Sequence, residues 1–385
     1  MEENAVEEES TLPKGVTGHR IAVAGSSGIF LVGGWNPTVD DGTGSFDRNY
    51  VREVWKYNAS TGLWSKLRCS SDTAPLEMAS HCMTSLGSKR LLCFGGSLSS
   101  IGQECSNRCH WYFVKEQIWQ EIACNGNIPP QNLHHWFGQA SFHCREENAL
   151  YVASGVLSGP MLINRLDVSS CEWTALPAEA DTKASFADCP GLVRHEIVVW
   201  KGELFVLGGG LDFQNAGPPE LQLGQLPTFD LSSKRWSLTP CFGPPEVLTL
   251  WPFASSVVLH KDALFLCGGL DIGEANNRVL REILRLDLVT KTWSVFGLLP
   301  RPLWFHASSV TDEGELFVFG GCPLLNYNGP RNNELVTINV DVCSLQTLAW
   351  RVLMADGRGA QIASLSVDTL RSIGLSDQFV KMLAF

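Results

Sequence analysis

Hydrophobic and polar positions repeat along this chain in six units. In each unit a four-residue apolar run meets a pair of small residues. The runs 29–32, 91–94, 150–153, 204–207, 264–267 and 316–319 meet Gly33-Gly34, Gly95-Gly96, Ser154-Gly155, Gly208-Gly209, Gly268-Gly269 and Gly320-Gly321. Successive pairs, counted from second residues such as Gly34 and Gly96, lie 52 to 62 residues apart. A short apolar run bounded by glycine predicts a strand buried on both faces, and the missing Cβ lets neighbouring backbones approach closely. A tryptophan follows each of the first five pairs: Trp64, Trp119, Trp173, Trp236 and Trp293. Four of them share a lead-up, centred on Asn58, Asp167, Asp230 and Asp287, that reads as strand, turn, then outer strand. Its indole is placed to pack between adjacent sheets. Repeats of this period predict an all-β, six-bladed β-propeller over residues 15–342. The sixth repeat has no tryptophan-bearing outer strand after the run 334–340, so its edge has to be paired or covered.

A further strand opens each blade, before the small pair. These openings correspond from blade to blade, so their side chains are expected to ring the central axis. They bring His19, Arg20, Ser80, Gln139, Arg194, His195, Ser255 and His306 to one end of the ring, with Trp136, Trp251 and Trp304 as walls. A purely structural ring would repeat its residue types. This one varies, and so reads as a binding surface at the propeller mouth. Arg20, Arg194, His19 and His195 are the candidates for holding an anionic group.

After residue 343 the period changes. Leu345, Leu348, Ala349, Val352 and Leu353 form one helical stripe, with Ser344 as N-cap. A second helix over 368–373 is expected to stop at Gly374-Leu375, and a third runs from Ser376-Asp377 to Leu383. Residues 343–385 thus form a small helical segment behind the propeller. Residues 1–14 form an acidic, disordered tail without the basic start or apolar core of a signal peptide.

A net charge of −11 argues against nucleic acid or an anionic membrane as partner. The 13 cysteines are odd in number, and several sit inside apolar strands, as in a reducing compartment. A cytoplasmic and nuclear location is expected. Cys105, Cys109 and His110 lack a second ligand pair at metal-site spacing, and the acidic loop around Asp40 and Asp47 lacks the ligand pattern of a calcium loop. His195-Glu196 opens like a zinc motif but has Val at 199, and no phosphate loop or nucleophile turn is present. Neither a cofactor nor a metal is expected, and the chain reads as non-catalytic.

The repeats resemble kelch repeats. The wider chain, from about Gly18 to Leu383, is similar to the kelch-domain receptors that recognise protein C-termini. The resemblance is carried by 33–37, 52–57, Arg194-His195-Glu196-Ile197, Phe305-His306 and the stretch 344–350. It implies a substrate-recognition subunit of a cullin-2 RING ubiquitin ligase that grips glycine-ending degrons at the mouth. The 344–353 helix looks like a BC-box, which implies docking to elongin B/C through Leu345, Leu348, Ala349, Val352 and Leu353 in helix-in-groove fashion. Two positions depart from the pattern. Leu211 stands where a relative places a carboxylate-gripping arginine, and Leu365 is followed by Ser366 where a Leu-Pro pair is usual. The alternative is a kelch scaffold or cytoskeletal protein with no ligase association.

Overall fold

A computed structural model describes residues 11–24, 28–38, 49–69, 74–76, 78–97, 105–129, 138–154, 159–178, 186, 189–211, 221–272, 277–326, 328–342, 348, 352, 361–362, 364–375 and 380. They form six sheets, antiparallel apart from one two-residue parallel pairing. Blade one holds β1 (Arg20–Ala24), β2 (Gly28–Val32), β3 (Val54–Asn58) and β4 (Leu63–Leu67). Blade two holds β5 (Cys82–Leu86), β6 (Arg90–Phe94), β7 (Cys109–Phe113) and β8 (Ile118–Ile122). A two-residue strand, β9 (Asn125–Gly126), crosses to blade three and pairs in parallel with its outermost strand. Blade three itself holds β10 (Ala140–Cys144), β11 (Ala149–Ser154), β12 (Leu162–Asp167) and β13 (Glu172–Ala175). Blade four holds β14 (Glu196–Trp200), β15 (Glu203–Leu207), β16 (Gln225–Asp230) and β17 (Arg235–Pro240). The short helix α1 (Pro245–Leu248) leads to blade five, which holds β18 (Ser256–His260), β19 (Ala263–Asp271), β20 (Arg278–Asp287) and β21 (Thr292–Leu298). Blade six holds β22 (Trp304–Val310), β23 (Glu315–Cys322) and β24 (Leu335–Asn339). The first strands β1, β5, β10, β14, β18 and β22 pack each on the next, and β22 returns to β1. The six-bladed propeller is therefore closed.

The repeat features have distinct structural tasks. The apolar runs are the second strands, buried on both faces. The first glycine of a pair lets the neighbouring blade close in: a Cβ on Gly320 would stand 2.2 Å from His19 Cε1. Each tryptophan packs back onto the preceding blade. Trp173 meets Phe94 at 4.8 Å, Trp64 meets Phe319 at 5.6 Å, and Trp293 Nε1 donates to the Leu223 carbonyl at 2.9 Å. The shared lead-up is a side-chain-closed turn. Asp167 Oδ1 accepts from the N–H groups of Ser169 and Ser170 at 2.9 and 3.0 Å, and Asp230, Asp287 and Asn58 do the same in their own blades. These donated bonds hold the Asp230 carboxyl down at about 2.

Blade six has three strands among the described residues. Its seam with blade one is closed on one face by residues 15–17: Gly321 N donates to the Val16 carbonyl at 2.9 Å, and Asn36 Nδ2 to that of Gly15 at 2.7 Å. Of residues 1–14, 11–14 are described; Pro13 is buried, and Thr11, Leu12 and Lys14 are exposed. At the other end of the chain, α2 (Val367–Ser372) begins one residue before the expected start. Ser366 Oγ caps it by accepting from Thr369 N at 3.1 Å. The helix ends as expected at Gly374: Gly374 N donates to the Arg371 carbonyl and Leu375 N to that of Leu370, so both late carbonyls are satisfied. Leu345, Ala349 and Leu353 lie outside the described residues. Leu348 and Val352 are helical and 45% and 69% exposed.

Candidate functional site at the propeller mouth

One position per blade, two residues before the first strand in blades one to five and near the start of β22 in blade six, sits in the left-handed backbone region. Its φ is 66° at Gly18, 58° at Ser80, 69° at Gly138, 59° at Arg194, 51° at Ala254 and 58° at Phe305. Four of these residues are not glycine, so packing has to hold them there against about 1 kcal/mol or more of local strain each. A chain of backbone bonds around the axis does so: Ser80 N to the Gly18 carbonyl, Arg194 N to Gly138, Ala254 N to Arg194 and Phe305 N to Ala254, at 2.6 to 3.1 Å. These six positions line one cleft at the axis. Blades one to three contribute small residues there, and blades four and six contribute Arg194 and Phe305. Arg194 is half-buried. Its Nη2 donates to Ser80 Oγ at 2.7 Å, and its guanidinium carbon stands 4.8 Å from the Phe305 ring centre. Phe305 is braced by Trp304 at 4.6 Å and Phe253 at 5.8 Å.

The next residue of each blade forms a second tier beneath: His19, His81, Gln139, His195, Ser255 and His306, all buried. Here the structure shows what surrounds the members of the variable ring. These side chains sit where neighbouring blades meet, and His19, His195, Ser255 and His306 also line the cleft. His19 Nε2 bonds the Phe319 carbonyl of blade six at 3.1 Å, while His195 and His306 lie beside the backbone of Ala153 and Cys267 in the preceding blades. Burial pushes His19 and His81 down to about 3, and His195 and His306 down to about 4. The four are neutral at pH 7, so His19 and His195 bring no charge to a carboxylate.

Arg20 lines the cleft and is already engaged. It reaches across the axis from blade one to blade four, where its Nη1 meets Glu196 Oε1 at 2.9 Å. On the way its Nε donates to the His81 carbonyl at 3.1 Å and its Nη2 to that of Gln139 at 3.3 Å. Although burial disfavours the charged form, Glu196 beside it keeps the guanidinium above its ordinary value. The pair is a strut that ties four blades together and floors the cleft. Glu196→Ala leaves a partly buried cation without its anion and is expected to cost about 2 kcal/mol in urea unfolding. The double change Arg20→Met with Glu196→Leu should recover most of that loss.

The structure thus brings Arg194, Ser80, His19, Arg20, His195, Ser255 and His306 into one cleft, with Gln139 buried beside it. Trp136 lies outside the described residues. Trp304 is buried behind Phe305, its indole donating to the Leu324 carbonyl at 2.9 Å, and Trp251 packs into the core of blades three to five. Sequence reading missed Phe305, His81 and Glu196. Phe305 and His81 were findable, because each occupies the same place before or within a first strand as Arg194 and His195. At the opposite end of the axis the blade turns enclose a wider funnel of about 740 Å³, lined in part by Phe142, His143, Trp200 and Ser308. Across it Arg145 Nη1 meets Asp312 Oδ1 at 2.5 Å, an exposed pair. Among the described residues no group of His, Cys, Asp or Glu is arranged to hold a metal ion.

Comparison with known proteins gives three findings. Residues 81–321 match the KLHDC2/KLHL20/DRC7 Kelch-repeats domain. Kelch domain-containing protein 10 of Homo sapiens is 29% identical over 381 residues, covering 96% of this chain and 80% of that protein. The Rattus norvegicus protein of that name is 29% identical, with 96% and 86% covered, and the Drosophila melanogaster homolog is 26% identical, with 88% and 57% covered. Among solved structures, one described as "Structure of YjhT" shares the fold with a TM-score of 0.58 at 14% identity, covering 86% of this chain and 98% of that one.

Proposed function

Because the chain belongs to the KLHDC2/KLHL20/DRC7 kelch-repeat family, we propose that it is a non-catalytic receptor that captures the C-terminus of another protein at the Arg194 mouth and presents it to a ubiquitin ligase. One observation carries this reading: a guanidinium fixed at the axis by Ser80 and by the face of Phe305. A chain-terminal carboxylate needs a planar, charge-assisted donor fork in a partly dehydrated place, and Arg194 supplies one. The small residues at Gly138 and Ser80 let the Arg194 side chain lie across the mouth, and a glycine-ending degron is the ligand that the family resemblance implies for it. The ligase side of the proposal rests on the BC-box resemblance of residues 344–353 and on the exposure of Leu348 and Val352, one helical turn apart. Elongin B/C and cullin-2 are the partners proposed, in cytoplasm and nucleus.

Fluorescence polarisation with glycine-ending peptides tests the mouth. The free carboxylate is expected to bind, and the C-terminal amide to lose most affinity. Arg194→Ala should weaken the free-carboxylate peptide by about 10- to 100-fold, the worth of a hydrogen-bonded charge. Equal binding of acid and amide would remove the degron reading. Co-purification with elongin B/C tests the rest: Leu345→Asp or Leu348→Asp is expected to abolish capture, and capture by both variants leaves the scaffold alternative in its place.

A further inference from the structure

The outer edge of β24 is open among the described residues, and apolar surface beside it is uncovered. In blades two to five the penultimate residue of the third strand lies opposite the tryptophan of the fourth. Tyr112, Leu166, Phe229 and Leu286 face Trp119, Trp173, Trp236 and Trp293 in this way, and the four are 0 or 1% exposed. Blade six puts Ile338 at that place, and Ile338 is only partly buried. On blade five Phe296 packs on Phe265 at 5.2 Å, in the core shared with Leu316 and Val318 of blade six, yet is 38% exposed. An unpaired strand edge beside uncovered apolar side chains is a template for one more strand.

The chain that follows β24 leaves this edge. Val340 N still donates to the Gly314 carbonyl, as Leu288 N does to that of Asp262 in blade five. Asp341 is then held on blade five, by Lys261 and by His260 Nε2, the latter at 3.1 Å. Leu348 is helical, at the place where Leu67, Ile122, Thr239 and Phe296 are still strand in their blades. The chain that precedes blade one leads towards the edge instead. The carbonyls of Met78, Pro252, Leu303 and Val16 accept from Gly34, Gly209, Gly269 and Gly321 of the preceding blade at 2.8 to 3.2 Å, so Val16 is the entry of blade one. Met78, Pro252 and Leu303 follow the tryptophan of the preceding blade, Trp64, Trp236 or Trp293, by 14, 16 and 10 residues. The shortest of these spacings, counted back from Val16, falls on Val6. Ala5-Val6-Glu7-Glu8 also has the order of Ile118-Trp119-Gln120-Glu121 in β8, two apolar residues and then two polar ones.

We propose that residues 4–8, which lie outside the described residues, pair antiparallel with β24 as the fourth strand of blade six, Val6 standing opposite Ile338 on the side of Phe265 and Phe296. Such a strand runs from the Asn339 end of β24 to the Leu335 end, which is the mouth end, where residues 15–17 close the seam between blades six and one. Glu7 and Glu8 suit an outermost strand, because charge on an exposed edge discourages further pairing. The beginning of the chain thus closes its last blade, in place of the free acidic tail expected there. The closure is independent of what the mouth binds.

Hydrogen–deuterium exchange on the full chain at two concentrations tests the placement. The β24 amides that face away from β23 are expected to be protected equally at both. Val6→Asp should speed their exchange about tenfold or more, and Val6→Trp, which supplies the residue the other blades carry here, should slow it about tenfold. Val6→Cys with Ile338→Cys should give a disulfide on peptide mapping without reduction, since directly opposed residues hold their Cβ atoms about 5 Å apart. The unaltered chain, Val6→Trp and the cysteine pair decide even if Val6→Asp folds poorly. Unprotected β24 amides in the unaltered chain, or absence of the disulfide, would overturn the assignment. Protection that neither Val6 variant moves gives the edge to residues after 342, and protection that grows with concentration gives it to a second copy; either result also overturns it.

Discussion

Acidification from pH 7 to pH 5 is expected to strip several kcal/mol from the propeller. His19, His81, His195 and His306 are buried and neutral, and burial holds each far below the ordinary histidine value of 6.5, at about 3 for the first two and about 4 for the others. The unfolded chain takes up those protons near pH 6.5, whereas the folded chain refuses them until pH 4 or 3. Between these limits the unfolded state binds more protons, so stability rises with pH; it is whole above about 6.5 and lost progressively below. At pH 5 each histidine accounts for about 2 kcal/mol of that loss. Urea melts at pH 7, 6 and 5 should show the decline, and His306→Gln should lower the proton uptake on unfolding by about one. A flat profile over this range would mean that the second tier is solvated and not a dry seal.

Gly208→Ala should leave little folded protein, at a cost of about 4 kcal/mol or more. Gly208 has a φ of +64°, and a Cβ there would stand 2.0 Å from the Pro252 carbonyl oxygen, which belongs to the backbone of the next blade. Neither the conformation nor the neighbour can yield without opening the ring. Gly202→Ala is the matched control. Its φ is +82°, but nothing lies within 4 Å of the added carbon, so only the backbone strain of about 1 kcal/mol is expected. Thermal melts of the two variants separate close approach from backbone freedom. If they fall equally, the glycine pairs are needed for their dihedral angles alone.

The blades were legible because their signals are local and chemical. An apolar run, two small residues, an Asp that closes its own turn and a tryptophan each point to one structural task, and Asp167, Asp230 and Asp287 perform theirs within three residues. The mouth was legible only in part. Gly18, Ser80, Gly138, Arg194, Ala254 and Phe305 share no side-chain chemistry. What they share is a dihedral angle, held at Ser80, Arg194, Ala254 and Phe305 by the neighbouring blade's carbonyl, and no residue type announces that. The sequence reading took Ser80 and Arg194 from this tier and His19, Gln139, His195, Ser255 and His306 from the one beneath it, and left Phe305 out. Glu196 was missed for another reason. Its partner Arg20 is 176 residues away and opposite across the axis, so nothing near either residue in sequence marks the strut.

The left-handed positions have a consequence for how such a mouth changes over time. Each is a socket whose dihedral angle belongs to the main chain, while the side chains displayed there pack on one another and on their neighbours, Arg194 on Ser80 and Phe305, and Phe305 on Trp304 and Phe253. Serine, arginine, alanine and phenylalanine already occupy equivalent sockets in this one molecule. A new recognition surface can therefore arise by exchanging single residues at six addresses, with the histidine tier and the Arg20–Glu196 strut left untouched below.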